Sequence, residues 1–265
     1  MSRKRSHIPE LYKAKRRCVP SSSSSQENGV STSHEDTNGI TDTASDARTA
    51  LLFLRGLFPV EKFEYRLPPI VLKHQLYSVM KNRTLVDKQL NDLRTNKEVK
   101  VFKLGPEETS RSIVFTDDYR KHVLKVMTDL KIESPVIEKV RQYILDQCTD
   151  VSLDRDTLYK GYGFTDMEIT YMIKASILTV RDVGSWWLSI PNAGIFMKSF
   201  NRGRKSVTTM IRKSKYKEIL KQDLEQRQWP KVARLGISYH IHDIMGADLV
   251  ECIDTNSGQL LRLRE

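Results

Sequence analysis

From Ala47 to the C-terminus one order of segments recurs three times. A chain with an internal repeat builds a row of like units, so this recurrence constrains the fold more than any single motif. In the first copy, "ARTALLFLRGLF" (47–58) places Leu51, Leu54 and Phe58 on one helical face. Pro68-Pro69 predicts a second helix through "IVLKHQLYSVM", because proline in a first helical turn loses no hydrogen bond. Thr84 is expected to cap a third helix, "LVDKQLNDLRTNK", with Val86, Leu90 and Leu93 facing inward. A strand "EVKVFKL", a polar loop "GPEETSR" and a returning strand "SIVFT" close the unit.

The second copy runs as a helix over 134–148, a helix "LDRDTLYKGYG" and a helix "TDMEITYMIKAS" with Thr165 as its cap. Its ribbon alternates Ile177, Thr179 and Arg181 with Leu178 and Val180, then returns through "SWWLSI". The third copy reads as helices "KYKEILKQDLEQ" and "GISYHIHDIMGA", then a hairpin "DLVECIDTNSGQLLRLRE" turning at Asn256-Ser257-Gly258. The ribbons begin near Val99, Ile177 and Leu249. Three helices followed by a two-stranded ribbon is the order of a winged helix, a helix-turn-helix extended by a hairpin. The expected fold is α+β and mainly helical. It comprises three tandem winged-helix domains at 47–128, 129–200 and 201–265, the third without a clear first helix.

Ahead of them, residues 21–46, "SSSSSQENGVSTSHEDTNGITDTASD", carry almost no large apolar side chains. Such a stretch cannot offset the entropy of ordering, so residues 1–46 are expected to be a disordered tail. The tail opens with two basic patches, Arg3, Lys4 and Arg5, then Lys13, Lys15, Arg16 and Arg17. Paired cationic patches on an extended segment suit a nuclear-import receptor better than a merely solvated tail. No secretory signal is expected in "MSRKRSHIPELYKAKRRC", and no apolar run is long enough to span a membrane. Cys18, Cys148 and Cys252 are too scattered for a disulfide framework or an all-cysteine zinc site.

Asp182-Val183-Gly184 resembles the magnesium-binding Asp-Phe-Gly of protein kinases, and an atypical serine/threonine kinase is the alternative reading. The triplet joins two strand-like runs, where Asp and Gly favour a turn. A glycine-rich phosphate loop, a Val-Ala-x-Lys strand and a His-Arg-Asp with its following Asn are all missing from the sequence. Phosphoryl transfer needs those parts together, so no enzyme, catalytic residue or cofactor is expected. His240 and His242 stand two apart, face different ways on a helix, and are expected to be surface or rim residues without a metal. Of the adjacent Trp186 and Trp187, one must face the core and the other outward.

The chain carries 44 Lys and Arg against 33 Asp and Glu, a net charge of +11. Its densest basic stretch is "KSFNRGRKSVTTMIRKSKYK" (198–217), which contains no acid. On a helix from about Arg204, Val207, Met210 and Ile211 form an inner stripe, while Lys205, Thr208, Arg212 and Lys215 share another face. Solvated faces usually mix signs because like charges at i,i+4 repel, so an unmixed face points to a polyanion. Lys198, Arg202, Arg204, Lys205, Arg212, Lys213 and Lys215 are the candidate nucleic-acid contacts. The recognition helices argue against base reading. The first mixes Lys88, Asn91, Arg94 and Lys97 with Asp87 and Asp92, the second exposes Asp166 and Glu168, and the third has neither Arg nor Lys. Phosphate contact with little sequence preference is expected.

The words "LPPIVL", "ILTVRDVGSWWLSIP", "RKSKYKEIL", "SYHIHDIMGA" and "SGQLLRL", with "DRDTLY" less well matched, closely resemble the serine/threonine kinase 19 family over nearly the whole chain. The resemblance implies tandem winged-helix nuclear proteins that bind DNA. Double-stranded DNA is the expected partner, RNA and a second copy of the chain (a homodimer) are further candidates, and the oligomeric state is left open. It implies a role in transcription-coupled nucleotide excision repair, bridging the stalled RNA polymerase II complex, including the Cockayne syndrome A protein, to the repair helicase factor. It also adds Arg227 to Lys198, Arg212 and Lys215 on a DNA-contacting surface.

Overall fold

The computed structural model describes residues 46–105, 111–230 and 233–264. The import-signal residues Arg3, Lys4, Arg5, Lys13, Lys15, Arg16 and Arg17, and the tail they belong to, lie outside the described residues.

Three copies of one arrangement are present, each a helix, a short strand, two helices and a two-stranded ribbon. In the first, α1 (Ala47–Gly56) leads to β1 (Val71–Leu72), α2 (Leu76–Val79), α3 (Arg83–Thr95), β2 (Val99–Lys103) and β3 (Arg111–Phe115). A linking helix, α4 (Thr116–Asp129), follows. The second copy is α5 (Ser134–Val140), continued by π-helical turns at Arg141–Gln147, then β4 (Ser152–Asp154), a π-helical turn at Thr157–Gly161, α6 (Asp166–Lys174), β5 (Leu178–Asp182) and β6 (Ser185–Leu188). The third is α7 (Ala193–Arg212), β7 (Glu218–Leu220), α8 (Lys221–Glu225), α9 (Ile237–Gly246), β8 (Val250–Thr255) and β9 (Gly258–Leu263). Each copy closes a three-stranded antiparallel sheet with its last strand in the middle, in the orders β1-β3-β2, β4-β6-β5 and β7-β9-β8.

Local chemistry explains the elements the sequence predicts. Val99 and Val101 of β2 lie opposite Phe115 and Ile113 across the ladder, while Lys100 and Phe102 opposite Val114 and Ser112 are buried on the other face, so the ribbon is covered on both sides. Thr165 caps α6 by accepting from the Glu168 N–H while Glu168 reaches back to the Thr165 N–H, a reciprocal capping box. Asn82, not Thr84, caps α3, its side chain accepting from the Leu85 N–H.

Three predicted second helices each begin as a strand. "IVLKHQLYSVM" holds β1, "LDRDTLYKGYG" holds the last two residues of β4 and "KYKEILKQDLEQ" holds β7 before helix resumes. Two or three residues cannot display a period of 2, so these strands exist only because the ribbon's free edge accepts them. The third copy also has its first helix. The long α7 fills that role, and it crosses the expected boundary between residues 200 and 201 without a break.

The copies share apolar cores. One cluster joins Phe102, Tyr119 and Val123 to Ile144, Leu158 and Met172, and extends to Phe196, Phe200 and Tyr239. Buried Lys100 crosses between the first two copies and donates to the carbonyls of Ile144 and Cys148 at 3.1 and 2.6 Å. Its ammonium thus closes the carbonyl end of the α5 segment, and burial lowers its pKa. The Tyr119 hydroxyl donates to the Ser189 carbonyl, and Arg120 pairs with Asp146 at 2.6 Å. Between the first and third copies, Gln75 donates to the Tyr239 carbonyl and the Tyr239 hydroxyl donates to the Ile70 carbonyl. Among the described residues no helix is long and apolar enough to cross a membrane.

Candidate nucleic-acid interface

Helix α7 is 20 residues long and strongly two-faced. Phe196, Phe200, Val207 and Ile211 are buried along one side. At about 100° per residue, Lys198, Lys205 and Arg212 recur every two turns on the opposite side, with Arg202 and Lys213 beside them. All five are exposed. Arg202, Lys205 and Lys213 rim an open cleft of about 500 Å³ floored by Met210, Pro230 and Ala233. The inner stripe agrees with expectation at Val207 and Ile211, while Met210 is only partly buried at the cleft.

Arg204, expected among the nucleic-acid contacts, lies on neither face. Its guanidinium turns toward α9 and binds Asp243 through Nε at 2.8 Å. Asp243 is fully buried and also holds His74 Nε2 at 2.6 Å. Burial opposes its charge, yet the neighbouring Arg204, His240 and His74 side chains outweigh that and keep the carboxyl well below the usual carboxylate range. Arg204 is therefore a tether that sets the rotation of α7 on the third copy and leaves the surface set. Below the tether, Gly203 sits against the His240 ring. His240 is buried between Phe200 at 5.7 Å and Trp229 at 5.4 Å, its Nδ1 3.9 Å from the Asp243 carboxylate and neither ring nitrogen within hydrogen-bond distance of a partner. The expectation of a surface His240 is thus corrected: its ring is a packing element under α7. His242 faces away from it, its Nδ1 against the Ser78 hydroxyl at 2.8 Å. Burial lowers the His242 pKa to about 4.

The structure ends α7 at Arg212, so Lys215 is not on the helix face. It sits in a tight turn at Lys215–Lys217, exposed, with its ammonium 5.0 Å from the Tyr216 ring. Arg227 comes to the same end of the row, donating to the Ser214 hydroxyl at 3.4 Å. Tyr216, which sequence reasoning missed, is 76% exposed and left-handed at φ 57°. For a bulky side chain that conformation costs on the order of 1 kcal/mol or more.

The recognition helices are engaged with the protein itself. Helix α9 packs against α2, with Asp248 at its end pairing to Arg83 at 2.6 Å. Arg94 of α3 donates to the Thr149 carbonyl of the second copy, and Asp87 is held by Lys73 and Tyr77. On α6, Asp166 accepts from the Tyr159 hydroxyl and Glu168 pairs with Lys139 at 2.8 Å.

At the β5–β6 turn, the Asp182 side chain accepts from the N–H of fully exposed Val183, and Gly184 has φ +75°. Asp182 shapes a ribbon tip. Trp186 packs on the core, while Trp187 lies outward between Arg181 at 4.4 Å and Lys103 of the first copy at 4.9 Å.

An α+β repeat protein with an unmixed cationic helix face is the class these features define. The chain belongs to the family described as inactive serine-threonine protein kinase 19, whose model matches residues 57–263. It is 43% identical over 266 residues to the Homo sapiens protein named "Winged helix repair factor 1", covering 100% of both chains. The Xenopus laevis protein of the same name is 41% identical over 265 residues, again covering 100% of both. A Schizosaccharomyces pombe protein named "Serine/threonine-protein kinase mug51" is 26% identical over 98 residues, 35% of this chain and 32% of its own.

Proposed function

We propose that the chain is a non-enzymatic nuclear DNA-repair factor that holds duplex DNA through phosphates along α7. Its three repeats are tandem winged-helix domains, with the second boundary moved to about Ala193, where α7 begins. The observation that carries this reading is the row Lys198, Arg202, Lys205, Arg212 and Lys213, exposed and facing away from the core. Keeping such a row unmixed repels internally, and a polyanion relieves that repulsion. Arg227 and Lys215 extend it at the helix end. The three recognition helices, each packed or paired within the protein, favour backbone contact over base reading.

The names of the full-length relatives support a repair role. We place that role in transcription-coupled nucleotide excision repair. There the protein bridges the stalled RNA polymerase II complex, with its Cockayne syndrome A component, to the repair helicase factor. The family description and the ribbon-tip position of Asp182 support a role without phosphoryl transfer.

Fluorescence anisotropy with duplex DNA over a salt series tests the contact. Lys205→Glu with Arg212→Glu should lower affinity by one to several orders of magnitude and flatten the log–log salt slope by about two units. Melting should change little, because both side chains are exposed. Duplex binding equal to the parent's would refute the assignment of the row.

A further inference from the structure

Where the basic row ends, an exposed aromatic side chain stands in a left-handed turn, as Tyr65 also does between Glu64 and Arg66, but here among cations alone. Tyr216 and Lys217 are consecutive non-glycine residues with φ 57°, a conformation bulky residues avoid. Strain of this kind persists where the surrounding structure imposes it, and it gathers at functional positions. Here it is imposed from both sides, by the end of α7 at Arg212 and by β7, whose Glu218 pairs in register with Arg262. The result is a tyrosine held off the surface, 76% exposed. Its surroundings are cationic: Lys213 and Lys215 are exposed, and Arg227 reaches Ser214 beside it. The nearest carboxylate along the chain, Glu218, is bound to Arg262 at 2.6 Å.

We infer that Tyr216 is a stacking platform for an unpaired DNA base, so that this face engages a junction where duplex opens into single strand. The inference rests on the proposed DNA contact of α7 and names its substrate more closely. An aromatic ring flanked by phosphate-binding cations is the arrangement by which proteins hold single strands without reading sequence. Within an intact duplex each base is already stacked on its neighbours, so only an unpaired base has a face for Tyr216. The α7 row then holds the adjoining duplex by its phosphates, and Lys213 and Lys215 follow the strand past the opening.

The experiment compares a plain duplex with the same duplex carrying a short unpaired stretch that contains 2-aminopurine. Anisotropy reads affinity, and 2-aminopurine fluorescence reads stacking. The parent should prefer the opened duplex by about tenfold and quench the probe. Tyr216→Phe should keep both properties. Tyr216→Gly removes the ring and suits a positive φ, so the fold should persist, plain-duplex affinity should hold, and preference and quenching should vanish. Equal parental affinity for both DNAs, or a Tyr216→Gly variant that still prefers and quenches the opened one, overturns the inference while leaving the α7 contact standing. Failure of the parent to bind plain duplex sinks the α7 contact itself, and the stacking assignment with it.

Discussion

Gly203→Ala sets two known effects against each other inside α7. By intrinsic propensity an alanine in a helix interior is better than glycine by about 1 kcal/mol. The packing says otherwise. A Cβ at Gly203 would lie 1.9 Å from His240 Nε2, 2.5 Å from Cε1 and 2.6 Å from Cδ2. Ordinary contact between such atoms needs about 3.5 Å, so α7 and α9 would have to part by more than 1 Å. The ring cannot step aside, because Phe200 and Trp229 stack near it and Tyr239 meets it edge-on. The Arg204–Asp243 tether resists separation of the helices as well. Overpacking of this kind costs about 1–3 kcal/mol and sometimes more. Taking the upper end and subtracting the propensity gain leaves a net loss of about 2 kcal/mol, or a melting temperature lower by about 4–8 °C. Urea denaturation of the single variants and of the Gly203→Ala, His240→Ala pair checks the cause. His240→Ala should itself destabilise by leaving a cavity, but in that background Gly203→Ala should become neutral or stabilising. A single variant that melts above the parent, or a penalty that survives removal of the ring, would refute the contact.

Asp243→Asn should destabilise by about 3 kcal/mol in urea titrations, the low end for a broken buried pair because Arg204 still reaches solvent. His242 gives an acid limb to the stability profile. Its folded pKa is held to about 4 against an ordinary 6.5, so on acidification the unfolded chain gains a proton that the folded chain refuses. The contribution is complete above pH 6.5 and is lost toward pH 4, at no more than about 1.4 kcal/mol per unit. Melting temperature against pH should show this slope, and His242→Gln should reduce it, leaving the share of buried His122, whose pKa burial also lowers. At the ribbon tip, Gly184→Val should lower the melting temperature of the protein because φ is +75° there, while Asp182→Asn should leave it nearly unchanged. The reverse ranking in melts, with Asp182→Asn the damaging change, would contradict the turn assignment.

What the sequence could disclose follows from the range of the forces involved. Thr165 and Glu168 announce the start of α6 because a capping box closes within one turn. Val207 and Ile211 announce the inner face of α7 because a helix repeats within a few residues. The three short strands were hidden for the same reason reversed: β1, β4 and β7 are stabilised by ribbon partners such as Ile113, Trp187 and Leu261, each far along the chain. The candidate surface divides in the same way. Lys205 and Arg204 are neighbours with the same charge, and local pattern cannot separate them. Their fates differ because one position points at Asp243, on a helix that reaches α7 only when the third copy closes. A helical wheel anchored on Phe200 and Val207 would still have placed Arg204 on the flank of the buried stripe, and Lys198, Lys205 and Arg212 opposite it. The missed signal was the period of the cations, not their number. Tyr216 had no such signal, since exposure there depends on a left-handed backbone between α7 and β7 that nothing in "RKSKYKEIL" prescribes. Functional positions of that kind surface only after the elements on either side have fixed where the connecting chain must run.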